Sequence, residues 1–269
     1  VNMTIALCWF RRDLRDTDHA ALYHALKENQ QVHCVFVFDR AILDPLPAED
    51  RRVSFIWHSV QQLKQALQVR GGDLWVMYDH AQQAIPQLAH RLGVHTVYCN
   101  HDYEPAAIAR DDAVAQALKA QGVAFKHYKD QIIFEQDEIL NQTGKPYGVF
   151  TPYKKAWLKH IAPFYLQAYP VERYAQHLAK DIAPDLPPLT HMGFINTPLK
   201  ITAGMQGAQV QWQDFTHRLT HYHDLRDYPA RKGPSYLSTH LRFGTLSIRS
   251  CARFAYQEML RGDKGADTW

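Results

Sequence analysis

The chain has 269 residues, 46% hydrophobic and 21% charged, with a formal net charge of +3. That length sets one or two domains with a full core, and the composition is that of a soluble globular protein rather than a disordered or fibrous one. The N-terminal apolar stretch Thr4 to Phe10 is too short to span a bilayer, and its positive charge follows it, the reverse of a secretory signal. The sequence therefore predicts a cytoplasmic protein without a membrane segment.

That first apolar run ends in Trp9-Phe10-Arg11-Arg12-Asp13-Leu14-Arg15, three arginines and an aspartate at the exit of a predicted β-strand. Ligand sites of open α/β sheets form at such exits, and a solvated basic loop is the plainer alternative. Further strands are predicted at Val32 to Asp39, Asp73 to Tyr78, His95 to Asn100 and Val123 to His127. Helical patterns separate them at Asp18 to Asn29, Val53 to Arg70, Ala81 to Leu92 and Pro105 to Gln121, with Gly71-Gly72, Gly93 and Gly122 where C-caps belong. Five strands alternating with four helices predict an α/β fold: a doubly wound, five-stranded parallel sheet over residues 1–135.

The alternation stops after Phe134. Thr143 to Gly148 is rich in turn residues, and Thr151 to Ile161 reads as a helix with a Thr N-cap and Pro152 at its first position. Ala183 to Pro188, with its three prolines, reads as an extended linker. Helices are predicted again from about Ala208 to Leu225 and from Ser247 to Leu260, around a Gly/Pro/Ser loop from Pro229 to Leu237. The expected organisation is an α/β unit over 1–135, a connecting segment over 136–190 and the start of a helical unit over 191–269.

Phosphate loops of the Gly-x-Gly-x-x-Gly and Gly-x-x-x-x-Gly-Lys-Ser/Thr types do not occur, which disfavours a nicotinamide dehydrogenase or a P-loop NTPase. Gly-x-Ser-x-Gly is likewise missing. His217 and His221 share a helix face, but no intervening Glu or nearby Cys joins them, so no metal site is expected. Cys8, Cys34 and Cys99 lie inside apolar runs without a Cys-x-x-Cys pair and read as buried free thiols. From Arg226 to Gly262 basic residues outnumber acidic ones and interleave with Tyr228, Tyr236, Phe243 and Phe254, the pattern of either a phosphate-tracking surface or a solvated face.

Taken together, the Arg-rich exit, Val149-Phe150-Thr151-Pro152-Tyr153 followed by Trp157, Tyr222 followed by Arg226-Asp227-Tyr228-Pro229, Gly233-Pro234-Ser235-Tyr236-Leu237-Ser238 and Leu246-Ser247-x-Arg249 resemble the DNA photolyase and cryptochrome family. The resemblance is strongest to the branch that repairs cyclobutane pyrimidine dimers. It implies an N-terminal α/β domain beside a light-harvesting antenna chromophore, and a helical domain that holds FAD and docks UV-damaged DNA. It also implies repair by electron transfer from excited reduced FAD to a flipped-out dimer. On that resemblance Tyr222 contacts FAD, while Ser235, Leu237 and Ser238 grip its diphosphate through hydroxyl and N–H groups. Arg226 contacts the DNA backbone.

Two departures bear on these expectations. Pro234 stands where many relatives have threonine, removing a hydroxyl and an N–H. Ala106 and Ala107 stand where folate-binding members have an Asn-Glu pair, so a folate antenna is not expected and the antenna's identity stays open. The resemblance further implies that catalytic residues lie beyond Trp269, and that the chain is the N-terminal part of a longer, monomeric protein, as a fragment or a split gene product. Val1-Asn2 ahead of Met3 reads as an artificial addition to the natural start. A cryptochrome-type photoreceptor and a nucleotide-binding α/β protein without light chemistry are the alternative functions.

Overall fold

The computed structural model describes residues 3–180 and 182–269; Val1 and Asn2, read above as an artificial addition, lie outside the described residues, as does Asp181. Five strands, β1 (Ile5–Phe10), β2 (Gln31–Asp39), β3 (Leu74–Asp79), β4 (Thr96–Asn100) and β5 (Ala124–Tyr128), form one sheet in the order β3-β2-β1-β4-β5. Every pairing is parallel, with Cys8 level with Cys34 on one side and with Tyr98 on the other. The predicted doubly wound sheet is therefore the fold.

Successive side chains of a strand point to opposite faces, so the apolar run of β1 feeds two cores at once. Ala6, Cys8 and Phe10 join a core covered by α1 (Ala20–Glu28) and α3 (Arg51–Val69), with α2 (Arg40–Leu43) at its rim. Leu7 and Trp9 join the other, covered by α4 (Ala81–Arg91) and α5 (Pro105–Ala120). Gly71, Gly93 and Gly122 have φ of +87°, +63° and +71°, the left-handed geometry expected of them. All four cysteines are free and buried, and burial pushes the Cys99 and Cys251 thiols up to about 12.

Past β5, α6 (Phe150–His160) begins two residues earlier than predicted, with Phe150 rather than Pro152 as its first residue. Its N-cap is Val149, and no side chain caps it, because Thr151 already lies inside the helix. Trp157 of the family-like segment packs edge-on against Phe134, in a small core with Ile133, Ile161, Leu166 and Tyr256. The Pro-rich stretch is extended, and it is held: Trp57 Nε1 donates to the Pro187 carbonyl at 2.8 Å, and Lys64 Nζ to the Pro184 carbonyl at 3.1 Å. Ala179 N–H also donates to the Val32 carbonyl.

The predicted helix over 208–225 is two helices. The structure places α7 at Gly204–Thr216 and the single turn α8 at Tyr222–Leu225, separated by a tight turn through Leu219–His221. Leu219 is buried there, and the added Cβ of any residue at 265 would meet the Leu219 carbonyl, so the close approach of α11 (Lys264–Thr268) forces the bend. Two further helices, α9 (Ser238–Phe243) and α10 (Ile248–Leu260), complete the described chain, and the Ser247 hydroxyl accepts from Ser250 N–H to cap α10.

Candidate functional site

The Arg-rich exit of β1 is neither a ligand loop nor a solvated one, because its side chains are taken up internally. Arg11 Nη1 lies 2.5 Å from Asp111, its Nη2 donates to the Asn100 carbonyl, and its guanidinium covers the Trp9 ring at 4.5 Å. Arg12 pairs with Asp102 at 3.0 Å and with Glu104 at 3.2 Å. At the point between β1 and β4 where the strand order reverses, Asp13 Oδ2 accepts from His19 Nε2 at 2.9 Å and from Asn100 Nδ2 at 2.7 Å. His19 Nδ1 accepts Leu22 N–H as the cap of α1, so Nε2 carries the proton in that pair. These side chains fill the crevice where a Rossmann-type ligand would sit.

The exit instead forms a seat for α9. Leu14 N–H donates to the Phe243 carbonyl at 3.1 Å, and Arg15 Nη1 to the Gly244 carbonyl at 3.1 Å. Gly244 has φ +65°, and a Cβ there would stand 2.2 Å from the Arg12 carbonyl oxygen, so only glycine admits the contact. Asp130 and Arg249 complete the seat from behind, at 2.8 Å from each other. Sequence reasoning singled out Arg249 in a motif but missed its partner, because an isolated aspartate past β5 carries no local signal.

The other end of α9 carries the residues expected to face a cofactor. Tyr222, half-buried, sets its ring edge-on to Phe215 with centroids 5.9 Å apart. Gly233 closes the following loop onto that turn, since an added Cβ would lie 2.4 Å from the Leu225 carbonyl oxygen. Ser235 is half-buried and its hydroxyl lies 3.4 Å from Leu237 N; Ser238 is exposed as the first residue of α9. Leu237 is fully buried among Trp212, Phe215 and Cys251, so its side chain anchors the loop, and its N–H donates to the Ser235 hydroxyl. Arg226 is exposed, with Nε 3.7 Å from Asp227. The structure thus gathers Tyr222, Arg226 and the 233–238 loop on one turn-rich surface.

The backbone there has the geometry of an anion cradle. Tyr236, a non-glycine residue, has φ +57°, and Leu237 follows at φ −91°, ψ −3°. A left-handed residue followed by a right-handed one turns successive N–H groups to one side, a concavity of positive potential that fits phosphate oxygens. The wider basic stretch contributes less than its composition promises. Arg242 pairs with Glu104 at 2.6 Å, Arg253 donates to the Leu166 carbonyl at 2.7 Å, and Arg249 is buried. Arg226, Arg231 and Lys232 are the members that lie exposed beside the loop, with Lys232 2.8 Å from Asp214.

One loop-holding residue escaped the sequence reading. Arg218 donates from Nη1 to the Lys232 carbonyl at 2.6 Å and to the Gly233 and Pro234 carbonyls at 3.3 Å each, while Nη2 pairs with Asp214 at 2.9 Å. Gln211 Nε2 donates to the Ser235 carbonyl at 2.9 Å. The spacing of 211, 214 and 218 along one helical face was the only available signal. Among the described residues, no group of three His, Cys, Asp or Glu is placed to hold a metal ion, and no helix is long and apolar enough to cross a membrane.

Comparison with known proteins agrees with this architecture. The DNA photolyase family model matches residues 6–173, which include the sheet and α6, and the chain belongs to that family. It is 35% identical to an uncharacterized 31.6 kDa protein encoded 5′ of atpI in Synechococcus sp., over 96% of this chain and 92% of that one. It is 34% identical to a deoxyribodipyrimidine photo-lyase of Synechococcus sp., over 93% of this chain and 53% of the photo-lyase. A class III photolyase from Agrobacterium tumefaciens superposes with a TM-score of 0.81 at 26% identity, over 95% of this chain and 53% of that one. The chain therefore spans about half the length of the photolyases it matches.

Proposed function

We propose that the protein acts in light-dependent DNA repair, splitting cyclobutane pyrimidine dimers, with residues 191–269 forming part of a helical FAD-binding unit behind the 1–135 α/β unit. The observation that carries this reading is the left-handed Tyr236 followed by right-handed Leu237, in the loop where the family resemblance puts the FAD diphosphate. When bound, FAD supplies the absorption of light and the one-electron chemistry. This chain's residues supply binding and orientation. Ser235 and Ser238 offer hydroxyl donors, the Ser235, Tyr236 and Ser238 N–H groups offer backbone donors, and Tyr222 offers a ring fixed by Phe215. Pro234 offers no N–H to this cradle.

In this reading the exposed Arg226 holds a phosphate of the damaged duplex, a contact that positions DNA without reading its bases. Ala106 and Ala107, at the first turn of α5, give no acidic side chain to a pterin, so a folate antenna is not part of the proposal. Deleting the gene and measuring survival after ultraviolet irradiation tests the reading. Survival under subsequent blue light should fall to the dark level. If photoreactivation is intact and a blue-light response is lost instead, the protein is a cryptochrome-type photoreceptor and the repair reading is wrong.

A further inference from the structure

We propose that Arg218 is the positioning residue of the anion loop: by taking the loop's carbonyl oxygens onto α7, it presents the loop's N–H groups to a diphosphate. The inference rests on reading that loop as the diphosphate site. In a trans peptide the carbonyl and the next residue's N–H point in opposite directions. Arg218 draws the Lys232, Gly233 and Pro234 carbonyls toward α7, and Gln211 draws that of Ser235. The N–H groups of Ser235 and Tyr236 are thereby turned away from α7, at the left-handed Tyr236.

Guanidinium is the group suited to this task. Its five donors lie in one plane, so one side chain serves three carbonyls and the Asp214 carboxylate together, whereas an ammonium is a point donor on a flexible stem. Asp214 is itself clasped from both sides, by Arg218 at 2.9 Å and Lys232 at 2.8 Å, and those two cations hold its carboxyl below the usual carboxylate range. Phe215, under the Arg218 guanidinium at 5.5 Å, also meets the Tyr222 ring. One face of α7, with Arg218 in the turn that follows it, therefore fixes both the loop and Tyr222, the two parts of the candidate cofactor surface.

The test compares wild type with Arg218→Lys and Gln211→Leu on the whole chain. It reads hydrogen exchange of the 229–240 segment without ligand, inorganic pyrophosphate affinity by amide-resonance titration, and the melting temperature. Arg218→Lys keeps the charge and loses the fork. It should speed exchange of the segment and weaken pyrophosphate binding by about tenfold each, the scale of one charge-assisted hydrogen bond, with little change in melting temperature. Gln211→Leu should move both in the same direction by less. Wild-type exchange and affinity in Arg218→Lys would overturn the proposal, since charge alone would then suffice. Faster exchange with unchanged affinity would equally overturn it, leaving Arg218 a structural residue. A wild-type chain that takes up no pyrophosphate would instead overturn the reading of the loop itself.

Discussion

Arg249 Nη2 lies 2.8 Å from Asp130 Oδ1, a buried ion pair that ties α10 to the segment leaving β5. Arg15 reaches the other oxygen of the same carboxylate at 2.6 Å, and Ala20 N–H donates to Oδ1 at 3.0 Å. Arg249 also donates to the carboxylate and carbonyl of Asp18, whose φ of +45° is held by these bonds together with those from Ser247 and Tyr169. Burial alone would raise the Asp130 pKa, but the two guanidiniums outweigh it and keep the carboxyl well below the usual carboxylate range. Residues from the start, middle and end of the chain thus meet at one charge.

Asp130→Asn should destabilise the protein by about 3 to 5 kcal/mol, because removing the acid leaves the buried Arg15 guanidinium without a counter-charge and Arg249 with Asp18 alone. Since Asp130 ionises more easily folded than unfolded, its contribution is fully present above the unfolded value of about 4 and is lost as pH falls below it. Urea midpoints measured from about pH 5 down to pH 2.5 should therefore fall more steeply in wild type than in Asp130→Asn; parallel curves would refute this account.

His240 acts in a separate pH window. It is 1% exposed, its Nδ1 bonds to Thr245 Oγ1 at 2.8 Å, its ring meets Phe55, and burial lowers its pKa to about 4. The unfolded chain takes up the proton first, near pH 6.5, so stability should drop between about pH 6.5 and pH 4 by about 2 to 3 kcal/mol. His240→Gln should flatten that limb while leaving the one below pH 4 in place. An unchanged limb would assign the effect to another histidine.

The sheet was legible in the sequence because its strands are short apolar runs and its helices carry one apolar face each, local signals that tertiary packing reinforces. The fate of Arg11, Arg12 and Arg15 was not, since their partners Asp111, Asp102, Glu104 and Asp130 lie far along the chain and declare themselves only in the fold. The break between α7 and α8 was hidden for a similar reason: the helical pattern runs through it, and the bend comes from α11 packing on Leu219. For the candidate site, the loop's residues were named by resemblance, while the side chains that shape it, Gln211 and Arg218, were not. They act on backbone carbonyls, which any sequence supplies.

Gly244→Ala should cost at least ~2 kcal/mol, combining a left-handed backbone with overlap on the Arg12 and Asp13 backbone. Because Gly244 ends the helix that Ser238 begins, the same change should disturb the anion loop. Wild-type stability by urea denaturation would show that α9 can lift off the β1 exit at little cost, and that the seat does not position the loop.

The 269-residue chain should retain FAD at well under one equivalent after gel filtration. Ser238 is exposed, Tyr236 is 47% exposed, and Tyr222 and Ser235 are only half-buried, so these groups form an open surface. Cofactor affinity comes mostly from enclosure of the ligand's apolar area, which such a surface provides poorly. Flavin absorbance at one equivalent per chain in the eluted protein would contradict this.

In a complete, FAD-loaded protein of the proposed function, Arg226→Ala should weaken binding to dimer-containing duplex DNA by roughly 1 to 3 kcal/mol, the scale of a charge-assisted hydrogen bond. The guanidinium is exposed, as are Arg231 and Lys232 further along the same loop, so it is open to a phosphate of the duplex. Losing one phosphate contact should also reduce the slope of log affinity against log salt by about one unit. Base recognition should be untouched, so the loss ought to be nearly equal for damaged and undamaged duplexes, and the yield of repair per bound dimer should not change. Fluorescence anisotropy across a salt series measures both quantities. A loss confined to damaged DNA, or a fall in yield at saturating protein, would place Arg226 against the flipped dimer and remove it from the phosphate-binding role.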